Sequence, residues 1–255
     1  MSQAQLWLVA AVGLALGSFL NVAMVRLQTQ QNLWRLAWPP SHCPNCQAAI
    51  IWRDKLPVLS WCLLKGRCRA CQRRIRWRYP LVELGTGAVA VIIALAFGPT
   101  PAGLSALLLS AWLIILSGID QDSYWLPDHL TLSGLWLGLL SATLYHHTTP
   151  VEAIIGAVLG YSVLASLNAG YRQLCGRDGM GGGDFKLLAM LGAWLGASAL
   201  PAILLLAAGG GSLWALGGML WAGRERDHPL AFGPWLAAAG WITLIWGHEW
   251  HIITG

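Results

Sequence analysis

Two aspartates beside long apolar segments are the residues of this chain best suited to acid–base chemistry. Asp120 ends the apolar run 113–119, and Asp184 opens another apolar segment after a stretch in which four of five residues are glycine. An ionisable side chain at membrane depth is costly, so such a residue indicates a functional site. If the fold brings the two carboxyls together, one can hold a proton while the other takes one from water. That division of roles is the chemistry of aspartic proteolysis.

The neighbouring carboxylates have simpler explanations. Asp128 follows Pro127 and precedes an apolar segment, a position typical of a helix N-cap, and we expect Asp122 to be solvated at the head-group level. An N-cap would also explain Asp184, but a cap does not need the glycines that precede it. Glycines let the backbone take left-handed torsions and let another chain approach closely. We therefore predict that Asp120 and Asp184 are the catalytic pair.

Four cysteines form two Cys-x-x-Cys pairs in a basic stretch. Cys43 and Cys46 are followed, after 21 residues, by Cys68 and Cys71. Two such pairs can close a tetrahedral site for zinc or a related divalent metal. The stretch has little apolar content for a core, so the metal would supply folding energy, and four thiolates leave no open position for catalysis. Four free thiols or two disulfides are the alternatives, and disulfides are disfavoured in a reducing compartment.

The elements that position these groups are predicted to be membrane-spanning helices. Hydrophobic residues make up 56% of the 255 residues and charged residues only 11%, against about 25% charged in a soluble domain. A helix needs about 20 apolar residues to cross the hydrocarbon core. We predict an all-α polytopic membrane protein with eight spans, at residues 5–25, 81–97, 104–119, 129–146, 151–170, 186–202, 203–221 and 234–250. No Lys or Arg precedes the first span, so we interpret it as a permanent helix rather than a signal peptide.

The basic residues predict the topology. The net charge is +5, and 11 of the 16 Lys and Arg lie between Arg26 and Arg78. This asymmetry is typical of the charges that orient membrane proteins, not of a nucleic-acid-binding face. We expect residues 26–80 to be a cytoplasmic zinc-binding domain between the first helix, at 1–25, and a helical core at 81–255.

Alternation then places the remaining connections. The loops 120–128, 171–185 and 222–233 fall in the cytoplasm, while 98–103 and 147–150 fall outside and contain no Lys or Arg. Asp120 and Asp184 consequently lie at the same cytoplasmic interface on different helices.

Short motifs occur in a characteristic order along nearly the whole chain. They are Gly17-Ser-Phe-Leu-Asn21 with Arg26-Leu27, the two Cys-x-x-Cys pairs, Arg78-Tyr-Pro-Leu-Val-Glu83, Ile119-Asp120 with Leu126-Pro-Asp128, the glycine-rich segment through Asp184-Phe-Lys186, and Phe232-Gly-Pro234. In this order and spacing they resemble the type IV prepilin peptidases, or leader peptidases, of pilus and type II secretion systems. One departure is Gly182, where that family often has a bulky residue, frequently Tyr.

The resemblance implies a catalytic pair at Asp120 and Asp184 and a cytoplasmic zinc domain around the cysteines. It also implies substrates: prepilins or pilin-like (pseudopilin) precursors with a short basic leader, cut after a Gly at the cytoplasmic face of the bacterial inner membrane. Many members N-methylate the new N-terminus with S-adenosylmethionine. The chain has no glycine-rich nucleotide fingerprint on a strand–helix unit, so methylation and this cofactor are expected from the resemblance alone. Membrane lipid is the other expected partner, and nucleic acid is not expected.

Two other classes of protein share some of these features. An ion-coupled transporter also carries intramembrane aspartates and broken glycine-rich helices, but its acidic residues are expected near the bilayer midplane. A non-catalytic membrane scaffold could use the cysteine loop to bind partners. A scaffold would tolerate Asn at both Asp120 and Asp184, and this separates it from an enzyme.

Overall fold

The structure is a computed structural model that describes residues 1–29, 41–145, 148–222 and 230–254. Part of the predicted domain 26–80 and part of the loops 147–150 and 222–233 lie outside these ranges. The basic residues Arg35, Arg224 and Arg226 of the predicted topology also lie outside them.

The described part of the chain is helical, as predicted. Its α-helices are α1 (Gln3–Thr29), α2 (Leu59–Leu63), α3 (Arg78–Phe97), α4 (Pro101–Ser123), α5 (Asp128–Tyr145), α6 (Pro150–Cys175), α7 (Gly182–Leu195), α8 (Leu200–Ala222) and α9 (Gly233–Thr254). Two short 3₁₀ helices, Trp52–Lys55 and Ala197–Ala199, join them. Extended pairing in the described residues is limited to two isolated β-bridges, His42 with Ala49 and Arg67 with Arg74.

Five of the described helical segments are long and apolar enough to cross a membrane. They are Gln3–Gln28, Arg78–Phe97, Pro101–Ser123, Pro150–Cys175 and Ala197–Trp221. A multi-pass membrane protein is therefore indicated by length and composition, while the predicted count of eight spans stays a prediction.

Two predicted boundaries are wrong. The sixth and seventh predicted spans meet near residue 202, but α7 ends at Leu195, where Gly196 takes a φ of 82° and donates its N–H to the Gly192 carbonyl. Pro201 lies in the first turn of α8, where its missing N–H would have no intrahelical partner. The helix α4 also continues to Ser123, so Asp120 lies in its last turn and not in the predicted loop 120–128.

The chain divides into two compact units, Met1–Ile115 and Leu116–Gly255. In the first unit, α1 packs against α3, and the Asn21 side-chain amide donates to the Tyr79 carbonyl over 3.1 Å. The buried Glu83 carboxylate accepts a hydrogen bond of 2.7 Å from the Val58 backbone N–H, at the start of α2. Glu83, a residue of the third motif, therefore fastens the cysteine-containing segment to α3.

In the second unit, α7 packs against α5, α6 and α9. Its side chains Leu187, Leu188, Met190 and Leu191 are completely buried. The α6 and α7 backbones approach so closely at Gly156 and Gly192 that a Cβ on either residue would overlap the other backbone. The Trp194 indole donates to the Gly134 carbonyl of α5 over 2.8 Å. The helix that begins with the Asp184 segment is thus held on several sides.

Candidate active site and metal centre

Asp120 is buried near the end of α4, with 5% of its surface exposed. The preceding Ile119 and Leu116 are fully buried, so the apolar run that made Asp120 conspicuous in the sequence also packs into the core. The Asp120 carboxylate oxygen Oδ2 accepts a hydrogen bond of 2.9 Å from the backbone N–H of Gly233, the first residue of α9. A single backbone donor from a distant helix therefore satisfies a buried carboxylate oxygen.

Asp184 is the third residue of α7 and is 8% exposed. Its backbone N–H donates a hydrogen bond of 3.2 Å to the Gly181 carbonyl, just before the helix. Gly183 packs on the segment that leads into α5, because a Cβ there would lie 2.8 Å from the Leu126 Cβ. Close approach thus requires glycine at 183, as expected for this stretch. The expected left-handed torsions are wrong, because no glycine of 179–183 has a positive φ.

The loop before α7, residues 176–181, is held by one asparagine of α6. Asn168 Oδ1 accepts hydrogen bonds from the Gly179 and Met180 backbone N–H groups, at 2.8 and 3.2 Å, and its Nδ2 donates to Asp178. Sequence reasoning missed Asn168, because a polar residue near the end of an apolar helix carries no signal of which loop it will bind.

The two aspartates are brought together in the second unit. Both carboxyls are buried within this unit, close enough for the charge of Asp120 to influence Asp184. Two interacting buried carboxyls resist being ionised together, and one of them tends to keep a proton. This arrangement suits the division into proton donor and proton acceptor that the sequence predicts for the pair.

An ion pair that the sequence did not suggest lies next to this site. Lys186 Nζ is 2.6 Å from Asp128 Oδ1. Lys186 lies two residues after Asp184 in the first turn and a half of α7, and Asp128 is the first residue of α5. The Asp128 carboxylate, predicted to cap its own helix, thus bonds across to α7.

The four predicted metal ligands also converge. The sulfur atoms of Cys43, Cys46, Cys68 and Cys71 all lie within 4.8 Å of one another. Cys43 Sγ and Cys71 Sγ are 3.9 Å apart, close to the edge of about 3.8 Å of a sulfur tetrahedron around zinc with Zn–S bonds of about 2.3 Å. The donor set and its spacing therefore fit a tetrahedral metal ion.

The two cysteine pairs share one backbone pattern. Cys43 N–H bonds the Ala48 carbonyl and its own carbonyl accepts from Gln47, while Cys68 N–H bonds the Arg73 carbonyl and its own carbonyl accepts from Gln72. Gln47 and Gln72 both have a φ of 57°. This local repeat was missed in the sequence, although Cys-x-x-Cys-Gln occurs twice and could have revealed it.

Hydrogen bonds and burial shift the pKa values of these thiols in opposite directions. The Arg73 N–H, followed by the Asn45 side-chain amide, lowers the pKa of the Cys71 thiol to about 6. At Cys46 the Ala48 N–H also lowers the pKa, but desolvation and hydrogen bonds with the other cysteines outweigh it and raise the pKa to about 11. The cluster thus retains protons that a divalent cation would displace, because thiolate is the ligand form.

Together these features define a class: a helical protein with several membrane-crossing helices, a buried carboxyl pair and a four-cysteine cluster. Comparison with known proteins agrees. The model of the "Type IV leader peptidase family" matches residues 107–216, which include both aspartates, and the model of the "Bacterial Peptidase A24 N-terminal domain" matches residues 11–97, which include the four cysteines.

Individual relatives match over almost the full length. The prepilin leader peptidase/N-methyltransferase of Aeromonas salmonicida (strain A449) is 43% identical over 272 residues, covering 97% of this chain and 94% of the relative. Proteins of the same name from Pectobacterium carotovorum subsp. carotovorum and Burkholderia pseudomallei (strain K96243) are each 40% identical, covering 92% and 98% of this chain and 90% and 88% of the relative. No solved structure matches the chain. The chain belongs to the type IV leader peptidase family, which confirms the resemblance seen in its motifs.

Proposed function

We propose that this protein is a prepilin leader peptidase and N-methyltransferase that removes the short basic leader of type IV prepilins or pseudopilins. The observation that carries the proposal is the interacting, buried pair of Asp120 and Asp184 inside the segment that matches the family model. Relatives at 40–43% identity are named prepilin leader peptidase/N-methyltransferase, which supports both activities.

The proposed mechanism uses the two carboxyls as one unit. The ionised carboxyl takes a proton from a water molecule, whose oxygen attacks the scissile carbonyl carbon, while the protonated carboxyl donates its proton to the carbonyl oxygen. When the tetrahedral intermediate collapses, the C–N bond breaks and the leaving amine receives a proton from the pair. The products are a leader ending in a carboxylate and a pilin with a new N-terminal amine.

Both aspartates lie at helix ends, which supports cleavage at the membrane surface. Asp120 is in the last turn of α4 and Asp184 in the first turn of α7. A substrate with a basic leader and an apolar helix would be cut where these two parts meet. An ion-coupled transporter predicts acidic residues at the bilayer midplane, in the middle of its helices, and is therefore not favoured.

The cysteine cluster is proposed as a structural zinc site. Four thiolates complete the coordination of zinc, so Cys43, Cys46, Cys68 and Cys71 would hold the ion and stabilise a segment that has little core of its own. S-adenosylmethionine is proposed as methyl donor for the second activity, on the strength of the relatives' names. The bound donor would supply the methyl group that the new amine accepts.

The remaining proposals concern placement in the cell. We infer a multi-pass protein of the bacterial inner membrane with eight spans, residues 26–80 in the cytoplasm and the catalytic pair at the cytoplasmic face. The concentration of Lys and Arg between Arg26 and Arg78 supports this orientation. The proposed divisions remain residues 1–25, 26–80 and 81–255.

The purified protein, incubated with a prepilin and S-adenosylmethionine, tests the function. Mass spectrometry is expected to show loss of the leader after a Gly, and a further gain of one methyl group on the new N-terminus. A prepilin that stays intact with folded protein would contradict the peptidase, and a cleaved but unmethylated product would contradict the methyltransferase alone.

A further inference from the structure

One buried hydrogen bond at the candidate site joins parts of the chain 113 residues apart. Gly233 N–H donates to Asp120 Oδ2 over 2.9 Å, and the bond is buried. The first amides of a helix have no intrahelical acceptor, and the partial positive charge of a helix N-terminus favours an anion there. Among the described residues, this is the only hydrogen bond to the Asp120 side chain that the structure shows.

The contact also explains why residue 233 is glycine. A Cβ added at Gly233 would lie 2.7 Å from Asp120 Oδ2 and 3.1 Å from its Cγ. Real Cβ atoms essentially never come within 3.0 Å of a non-bonded heavy atom. Any larger residue would therefore displace the carboxylate, the start of α9, or both.

The start of α9 is held independently of Asp120. The Phe232 carbonyl accepts hydrogen bonds from the Trp235 and Leu236 N–H groups, and the Leu236 side chain is fully buried. Farther along, α9 packs against α7, where Gly240 lies against Leu191. The donor thus sits on a fixed element that also contacts the helix carrying Asp184.

We propose that Gly233 is a positioning residue for Asp120: its amide holds one carboxylate oxygen, so that the other stays free to work with Asp184. This inference rests on the proposed function. A donor presented by packed backbone needs no reorganisation during the reaction, and misplacing a catalytic group by about 1 Å can cost about 10²-fold in rate. The Phe232-Gly-Pro234 motif then belongs to the catalytic machinery and not only to the start of a helix.

Kinetics of Gly233→Ala test the proposal, with Gly209→Ala as the matched control. Gly209 lies inside α8, and a Cβ added there would meet no atom within 4 Å. We expect Gly233→Ala to lower kcat at least about tenfold, with KM for the prepilin within about twofold, because the substitution displaces a catalytic group and not the substrate. Gly209→Ala is expected to keep both constants.

A thermal-stability cycle tests the contact itself without using activity. The melting temperature of purified protein is compared for Gly233→Ala alone and in an Asp120→Ala background. The loss caused by Gly233→Ala is expected to shrink when Asp120 is replaced, since the nearest oxygen is gone. If Gly233→Ala alone fails to fold, the double variant is expected to recover folded protein.

The outcomes separate this inference from the proposed function. An inactive Asp120→Asn beside a Gly233→Ala enzyme with wild-type kcat would overturn the positioning role and leave the peptidase mechanism standing. An active Asp120→Asn would overturn both. An equal loss of stability in the two backgrounds would overturn the assigned contact.

Discussion

Among single residues, burial separates the acidic side chains near the site into two groups. Asp120 and Asp184 are 5% and 8% exposed, whereas the Asp128 side chain is 60% exposed and Asp122 is also exposed. A buried carboxylate must be compensated by hydrogen bonds or by protonation, while an exposed one is stabilised by water. The first group is therefore suited to proton transfer and the second to surface contacts.

The ion pair between Asp128 and Lys186 is expected to contribute little to the stability of the fold or to cleavage. Because Asp128 is largely exposed, the pair is worth at most about 1 kcal/mol. We expect Asp128→Asn and Lys186→Gln to lower the melting temperature slightly and to reduce cleavage by less than about tenfold, and the double variant to resemble either single one. Thermal melts and initial rates measure this, with Lys65→Gln, at an exposed lysine just after α2, as control.

Two results would contradict that expectation. Additive losses in the double variant would mean that the two residues act separately. Loss of cleavage in Asp128→Asn comparable to that of Asp120→Asn would place Asp128 in the catalytic group.

The sequence could predict those residues of the site whose signals lie in their own neighbouring sequence. Asp120 and Asp184 are identifiable because charged residues are rare here and each adjoins an apolar run. Gly233 and Lys186 have no predicted role, because their partners are 113 and 58 residues away. Only the packing of α4, α5, α7 and α9 determines which backbone N–H or amine meets which carboxylate.

At the scale of elements, the loops of the two Cys-x-x-Cys pairs and the helix α7 are held in place in different ways. In the loops of the Cys-x-x-Cys pairs, backbone hydrogen bonds direct the four sulfur atoms toward one another. The helix α7 instead gains its position from buried side chains and close backbone contact with α6. We expect the first arrangement to depend on a metal for stability, and the second to need none.

The zinc proposal predicts that replacing a cysteine of the cluster removes the metal, whereas replacing Cys62 does not. Metal analysis of purified protein is expected to find about one zinc per chain, lost in Cys43→Ser and Cys68→Ser. Cys62→Ser is the matched control, because Cys62 is an exposed free cysteine outside the cluster. Chelation is expected to lower the melting temperature before it lowers cleavage, since the closed site is structural. A metal-free wild type with an unchanged melting temperature would contradict this.

Helix boundaries show the limits of sequence prediction for elements. A proline between apolar segments indicates a break, but Pro201 fits the first turn of α8, and the break falls at Gly196 with its positive φ. Composition predicts that apolar helices exist, whereas single backbone torsions decide where they end.

For the molecule as a whole, charge asymmetry is the main evidence for orientation. The helical class and the family are predicted correctly from composition and motif order, while the number of membrane crossings depends on helices of intermediate length. The helix α7 has only 14 residues, fewer than the roughly 20 needed to cross a bilayer unaided. Its position depends on burial by neighbouring helices, and a hydropathy profile does not contain that information.

The topology proposal can be measured directly. Reporter fusions near residues 50, 124, 178 and 226 are expected to be active in the cytoplasm, and those near residues 100 and 148 outside, because Lys and Arg are retained on the cytoplasmic side. The fusions near 100 and 148 serve as internal controls for those inside. An external reporter at residue 50 would overturn the orientation and with it the proposed side of cleavage.

The central claim is that Asp120 and Asp184 cleave prepilin as a pair, and cleavage by their Asn variants tests it most directly. Asn is nearly isosteric with Asp but does not act as a general acid or base. Asp120→Asn and Asp184→Asn are each expected to lower the cleavage rate by about 10²–10⁴-fold or more, with melting temperatures that show folded protein. The double variant is expected to be scarcely worse than either single one, because the two residues act as a unit. Near-normal cleavage by one Asn variant would remove that residue from the mechanism, and near-normal cleavage by both would contradict the two-aspartate mechanism itself.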